Sequence, residues 1–401
     1  MTRPQVRDDL HDLAGYHSPQ LDVDVRLNTN EAPEGPPAGY VAAVEAAVGA
    51  VDWHRYPDRA ATELRTRIGT LHGRGPDEIF CANGSNEVLQ SILLAYAGFG
   101  RRVLTFEPTY AMHAHIARIV GSTPVAAERD ADFRLQPGPA AATVAECRPA
   151  VTFLTSPNNP TGLVEPDEVI DAVLEAVEAV DGLLVVDEAY GQFAPRSALE
   201  RVDEDRSLVV TRTFSKTWAM AGARLGYAVG PTWVVDQLWR VVLPYHLDAL
   251  KQAAGVAALD FVDEMDARVR GIVAERERLV TALTELGATV WPSGANFVLF
   301  RPTGATGGDD PAAGRTVWQR LVDRSVLVRD TSSWDHLDGC LRVTVGTPAD
   351  NDRFLAALAD VLAGPAATAD RTTDPGGSSG EKSSGVKSSG ERSSGENRSA
   401  S

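Results

Sequence analysis

Short apolar, β-branched runs alternate with longer stretches of helical periodicity through most of this chain, and each run ends in a polar or glycine-bearing turn. That alternation builds βα units on a mostly parallel sheet, with helices long enough to cross back over either face. The pattern predicts strands over 78–82, 102–106, 150–155, 183–187, 207–213 and 224–229, with helices over 86–97, 110–120, 166–180 and 231–242. It then predicts one long amphipathic helix over about 250–286, followed by short strands near 288–291, 297–300 and 341–345 with two more helices. The expected fold class is therefore α/β, a central sheet covered on both faces, joined to a smaller α+β unit. A length of 401 residues accommodates both.

Composition narrows the function classes. Lys and Arg total 38 against 55 Asp and Glu, a net charge of −17, which argues against a protein that grips nucleic-acid phosphates through a basic footprint. Cys81, Cys147 and Cys340 are few, widely spaced and without CxxC pairing, so neither a disulfide framework nor a cysteine zinc site is expected. No metal is expected. The opening MTRPQVRDDLHDL lacks the basic-then-apolar plan of a signal peptide, and no apolar run is long enough to span a bilayer. A cytoplasmic location is the expectation. From about Pro365 the chain turns Gly-, Ser- and Thr-rich and repeats SSGEK, SSGVK, SSGER and SSGEN, a pattern expected to stay disordered.

Ligands of such sheets lie at the carboxyl ends of the strands, so the residues ending each run are the candidate binding residues. The first predicted strand runs into Asn83, Gly84, Ser85 and Asn86 at a helix start, where backbone N–H groups face an anion or simply cap the helix. The third ends in SPNNPTG (156–162), a rigid, asparagine-presenting loop. The fourth ends at Asp187 after four apolar residues, and a buried carboxylate calls for a cationic partner. The fifth leads to Thr213, Ser215, Lys216 and Arg224. One ligand satisfies all of them: pyridoxal 5′-phosphate, whose ring nitrogen needs a carboxylate, whose aldehyde needs a lysine and whose phosphate needs N–H, hydroxyl and arginine donors. The chain has only four lysines, Lys216, Lys251, Lys382 and Lys387. Lys216 alone stands at a strand end among phosphate donors.

The set SPNNPTG, VVDEAY, TFSK and GARLGY resembles fold-type-I pyridoxal-phosphate aminotransferases. RLNTNEAP from Arg26, RYPD from Arg55, ANGSNEVLQ, FEPTYAMH, LPYHLDALKQAA, SGANFVLF and LRVTVGT narrow the resemblance to the histidinol-phosphate aminotransferase family, over about residues 6–362. The resemblance implies that Lys216 bonds the cofactor and moves the proton, Asp187 pairs with the ring nitrogen, and Asn158 and Tyr190 bond its phenolic oxygen. It implies that Tyr110 stacks on the ring and that Gly84, Ser85, Asn86, Thr213, Ser215 and Arg224 cradle the phosphate. Tyr56 would join from the neighbouring subunit, which implies a homodimer. It divides the chain into an N-terminal arm with part of the small domain (1–50), a cofactor-binding domain (51–245), a C-terminal small domain (246–364) and the tail (365–401).

For the substrate, the resemblance implies that one anion site serves both the carboxylate of glutamate or 2-oxoglutarate and the phosphate ester of histidinol phosphate. Arg342 matches the family's anion-binding arginine, with Arg329, Tyr16 and Asn30 as further contacts. Two departures bear on specificity, Ala32 where the family usually has asparagine and a 332–340 connection that looks longer than usual, while a Gly/Asp-rich insert over 303–314 interrupts the small domain. The implied reaction is amino transfer between L-histidinol phosphate and 2-oxoglutarate in histidine biosynthesis. Its rivals are an aromatic amino-acid aminotransferase, a threonine-phosphate decarboxylase and a non-catalytic sensor or scaffold. His113 and His115 form an HxH without a third ligand, and read as ordinary helix residues.

Overall fold

A computed structural model describes residues 3–7, 10, 13, 20–303 and 311–363. Tyr16, most of the 303–314 insert and the 365–401 tail lie outside the described residues. The first part of the chain contributes β1 (Val25–Leu27), α1 (Ala38–Gly49), α2 (Thr62–His72), β2 (Ile79–Ala82), α3 (Ser85–Tyr96), β3 (Arg102–Glu107), α4 (Met112–Ile119) and β4 (Thr123–Glu128). The middle adds α5 (Pro137–Cys147), β5 (Val151–Thr155), α6 (Asp167–Glu178), β6 (Leu183–Asp187), β7 (Leu208–Thr213), β8 (Gly226–Val229) and α7 (Thr232–Val241). After it come α8 (Ala249–Ala258), α9 (Val262–Glu285), β9 (Thr289–Val290), β10 (Phe297–Arg301), α10 (Pro311–Val322), β11 (Val326–Asp330), β12 (Leu341–Thr344) and α11 (Pro348–Leu362).

The large sheet has the order β2-β8-β7-β6-β5-β3-β4, with β8 antiparallel to both its neighbours and the other pairs parallel. Both faces are covered. Leu184, Val186, Leu208 and Val210 pack with Leu64 and Ile68 of α2 and Val169 and Val173 of α6. Their sequence neighbours Leu183, Val185 and Val209 point the other way, onto Val88 and Ile92 of α3 and Val234 and Leu238 of α7. A strand buried on both faces carries unbroken apolar sequence, which is why β6 was plain to read. β4 escaped because it is a half-exposed edge containing Pro124, tolerated where one side of the strand needs no ladder bonds.

The expected single helix over 250–286 is two. α8 ends at Ala258, Phe261 leaves helical geometry at φ −116° and ψ 36°, and α9 restarts with Asp263 and Glu264 in its first turn, where the helix dipole favours acids. Periodicity did not reveal the break because Ala254, Ala257, Leu259 and Met265 all face the same core.

The small sheet runs β1-β11-β12-β10-β9. β1 pairs in parallel with β11, Val25 opposite Val326 and Leu27 opposite Val328, so the N-terminal segment is fixed before it delivers residues 28–31 to the large sheet's strand ends. Among the described residues no helix is long and apolar enough to cross a membrane.

Near the sheet, His72 of α2 meets the Tyr227 hydroxyl at 2.8 Å. Burial, aided by Arg212 and Arg74, holds its imidazole down to about 4. An unfolded chain takes up that proton as pH falls through the usual 6.5, the folded one only near 4, so stability is present above pH 6.5 and lost towards pH 4. The loss is roughly 3 kcal/mol. Urea midpoints between pH 7 and 4.5 should fall less steeply in His72→Gln than in the wild type; equal slopes would contradict the assignment.

Candidate active site

The carboxyl ends of β5, β6 and β7 bring Thr155, Asp187 and Thr213 to one rim, and the segment after β1 closes over it. Between them lies a cavity of about 380 Å³, lined by Asn30, Glu31, Ser85, Asn86, Tyr110, Asp187, Tyr190, Thr213, Ser215, Lys216, Arg224, Arg329 and Arg342, among others.

One wall is an anion cradle. Gly84 stands at φ 80° before the first turn of α3, which has no side-chain cap, so that turn's N–H groups face the cavity end. A Cβ on Gly84 would lie 2.7 Å from Arg224 Nη2, and one on Gly226 would lie 2.3 Å from the Ser85 nitrogen. Only glycine at both positions lets Arg224 and β8 approach the turn this closely. Arg224 Nη1 donates to Ser215 Oγ at 3.1 Å, and Thr213 Oγ1 donates to the same oxygen at 3.0 Å.

Lys216 reaches the centre, where its Nζ donates to the Thr29 carbonyl at 3.1 Å. Burial foremost, then the charge of Arg342, lowers its ammonium to about 8 despite the opposing pull of Glu31. A neutral amine is therefore accessible near neutral pH.

Opposite stands Asp187, 2% exposed, whose Oδ1 accepts from the Ala189 N–H at 3.1 Å and Thr211 Oγ1 at 3.3 Å. Its Oδ2 bonds His113 Nε2 at 2.9 Å. His113 is fully buried, stacked on Phe153 with centroids 4.3 Å apart, and its Nδ1 finds no hydrogen-bond partner among the described residues. A carboxylate accepts only, so Nε2 carries the proton. The HxH was thus more than a helix feature: its first histidine fixes the site's carboxylate. Two histidines without a third ligand gave no sign of that in the sequence.

Tyr110 packs edge-on against His113 and donates to Asn86 Oδ1 at 3.1 Å. Tyr190 accepts from Asn30 Nδ2 at 2.9 Å, and Asn30, at φ 56°, also bonds Thr344. Across the cavity Arg342, 5% exposed, donates to Asn159 Oδ1 and to the Asn28 carbonyl at 2.9 Å, with its guanidinium 5.1 Å from the Phe297 ring centroid.

One sequence expectation needs correction. Asn158 does not present its amide to the cavity: Oδ1 accepts from Thr109 Oγ1 at 2.7 Å, and Nδ2 donates to the Pro108 carbonyl and Thr161 Oγ1, both at 2.9 Å. The next residue, Asn159, lines the cavity instead. In a loop of adjacent asparagines, sequence alone could not say which faces inward. Tyr56, expected to serve a neighbouring subunit's site, is 78% exposed in this protomer and stacked on Tyr245 at 4.4 Å. Ala32 borders a separate recess of about 80 Å³ with Glu31, Pro33 and Gly346. Trp334, from the 332–340 connection, joins the cavity wall. Among the described residues no cluster of His, Cys, Asp or Glu is arranged to hold a metal.

The chain matches the family model for aminotransferases of class I and II over residues 23–358. It is 45% identical over 377 residues to the histidinol-phosphate aminotransferase of Frankia casuarinae, covering 91% of this chain and 92% of the relative. It is also 45% identical to that of Mycolicibacterium smegmatis, over 89% of this chain and 93% of the relative. The crystal structure of histidinol-phosphate aminotransferase from Sinorhizobium meliloti, in complex with pyridoxal-5′-phosphate, superposes with a TM-score of 0.76 at 26% identity, covering 85% of this chain and 91% of that one. Sequence match, shared fold and the strand-end geometry agree: this chain belongs to the histidinol-phosphate aminotransferase family, within the class I and II aminotransferases.

Proposed function

We propose that this protein is a pyridoxal-phosphate-dependent aminotransferase that moves the amino group of L-histidinol phosphate to 2-oxoglutarate, giving imidazole acetol phosphate and L-glutamate. The observation that carries this reading is the buried Lys216 between two separate anion sites, one at Gly84, Ser85, Thr213, Ser215 and Arg224, the other at Arg342 and Arg329.

The residues present fit the cofactor. Ser85, Asn86, Thr213, Ser215 and Arg224 match a phosphate, Asp187 matches a protonated ring nitrogen, and the Tyr110 ring edges the space between. Tyr190 and Asn159, which line the same cavity, would donate to a ring oxygen, Asn159 taking the part expected of Asn158. When bound, the cofactor supplies the carbonyl and electron sink that amino transfer requires.

Lys216 then has two tasks, both served by an ammonium lowered to about 8: to offer a neutral amine and to hold or return the substrate's Cα proton. Thr29's carbonyl keeps it at the centre while it waits. Asp187, fixed by Thr211, His113 and the Ala189 N–H, would pair with the ring nitrogen. Arg342 orients either substrate anion. Its guanidinium is itself oriented by Asn159, the Asn28 carbonyl and Phe297, and so meets a planar carboxylate or a phosphate edge-on.

The reading includes a homodimer in which Tyr56 serves the partner's phosphate site. Tyr56 and the Tyr245 ring stacked on it are 78% and 40% exposed, an aromatic pair suited to burial by a second copy. Its proposed setting is the cytoplasm, in keeping with three free cysteines.

The experiment is a comparison of kcat/KM for L-histidinol phosphate and phenylalanine with 2-oxoglutarate as acceptor, with released carbon dioxide measured in parallel. A clear preference for histidinol phosphate without carbon dioxide supports the reading. A preference for phenylalanine makes it an aromatic amino-acid aminotransferase, and carbon dioxide release from an amino-acid phosphate makes it a decarboxylase.

A further inference from the structure

Arg329 and Arg342 are directly opposite one another in the antiparallel pair β11–β12, so their side chains leave the same face and both line the cavity. Two like charges at opposed positions repel, and each is set on its own aromatic ring: Arg342 lies 5.1 Å from the Phe297 centroid, Arg329 5.5 Å from that of Trp334. Phe297 is a core strand residue. Trp334 belongs to the connection between β11 and β12.

That connection is built, not slack. The Trp334 N–H donates to the Thr331 carbonyl at 3.0 Å, the Leu337 N–H to the Trp334 carbonyl at 3.0 Å and the Cys340 N–H to the Leu337 carbonyl at 2.9 Å. Thr331 Oγ1 closes its base on the Cys340 carbonyl at 2.7 Å. Leu337 and Cys340 are fully buried against Phe133, Trp291 and Leu299. The loop therefore holds the indole at a fixed place on the cavity wall. Glu31 is the carboxylate that shares this cavity with Asp187, and its Oε2 accepts from Thr29 Oγ1.

We propose that Trp334 is a specificity-determining positioning residue: its indole holds the Arg329 guanidinium in place opposite Arg342, and so sets how strongly the two arginines expected at the substrate anion favour a dianionic phosphate monoester over a carboxylate. One guanidinium satisfies a carboxylate bidentately; the third oxygen and second charge of a phosphate reward the other. The inference rests on reading this cavity as the substrate site of an aminotransferase.

The test uses holoenzyme, in which the cofactor's own phosphate site is filled, and follows the half-reaction with glutamate by cofactor absorbance. Inorganic phosphate is the competing probe, and KM and kcat for histidinol phosphate are measured alongside. Trp334→Ala should weaken phosphate inhibition and raise the histidinol-phosphate KM about fivefold, with kcat and glutamate affinity changed less than about twofold. Trp334→Phe should restore most of the loss. Trp334→Leu, which keeps apolar bulk without a ring, should behave like Ala and guards against a folding defect. In an Arg329→Gln background, Trp334→Ala should add nothing.

Equal losses for glutamate and phosphate, or an undiminished effect without Arg329, would overturn the proposal. If histidinol phosphate is not turned over but the phosphate effect persists, the substrate assignment fails and the clamp stands.

Discussion

Lys216→Ala is expected to lower turnover by about 10⁴-fold or more, since it removes both the amine that bonds the cofactor and the base at Cα. Lys216→Arg should fare no better. A guanidinium keeps the charge yet neither bonds an aldehyde nor gives up its proton near neutral pH. The variants should still fold and hold cofactor through the Gly84–Ser85 turn and Arg224, because those contacts do not involve the lysine. A pH dependence accompanies this. With the ammonium lowered to about 8, capture of the cofactor by cofactor-free protein should rise as pH increases from 7 to 9 and level above it. Stopped-flow absorbance after mixing with pyridoxal phosphate measures both. Lys216→Ala retaining more than about a hundredth of wild-type turnover would remove the residue from its role.

Asp187→Asn is the second large effect, an expected loss of about 10²–10³-fold in kcat/KM. The amide has nearly the carboxylate's shape, so the loss reports charge rather than packing. It also changes what His113 meets, since an amide NH₂ turned towards Nε2–H would clash donor on donor. His113→Phe should preserve the stack on Phe153 and remove the donor to Oδ2, costing about tenfold. In an Asp187→Asn background that further loss should largely vanish, because the two residues act as one unit. Additive losses would mean that His113 contributes packing alone.

Much of this site was readable because parallel strands buried on both faces leave an unmistakable trace, and their last residues are where ligands sit. Asp187 after four apolar residues and Lys216 among hydroxyls needed no structure. Other features depend on tertiary packing that no local pattern encodes. Which of Asn158 and Asn159 faces inward is decided by Thr109, Pro108 and Thr161 capturing the first. His113 gains meaning only when α4 lays it beside the end of β6, 74 residues away in sequence. The pairing of β1 with β11 joins residues some 300 positions apart and carries Asn30 to Tyr190. The α8–α9 break hid because both helices turn the same apolar face to one core.

The most direct measurement is a half-reaction without acceptor. Holoenzyme is mixed with L-histidinol phosphate, the near-visible absorbance of the lysine-bound cofactor is followed, and 2-oxoglutarate is then added. The account predicts rapid bleaching at low histidinol phosphate, recovery with 2-oxoglutarate, and no such response in Lys216→Ala. Absorbance unmoved by histidinol phosphate, in protein that bleaches with glutamate, would contradict it.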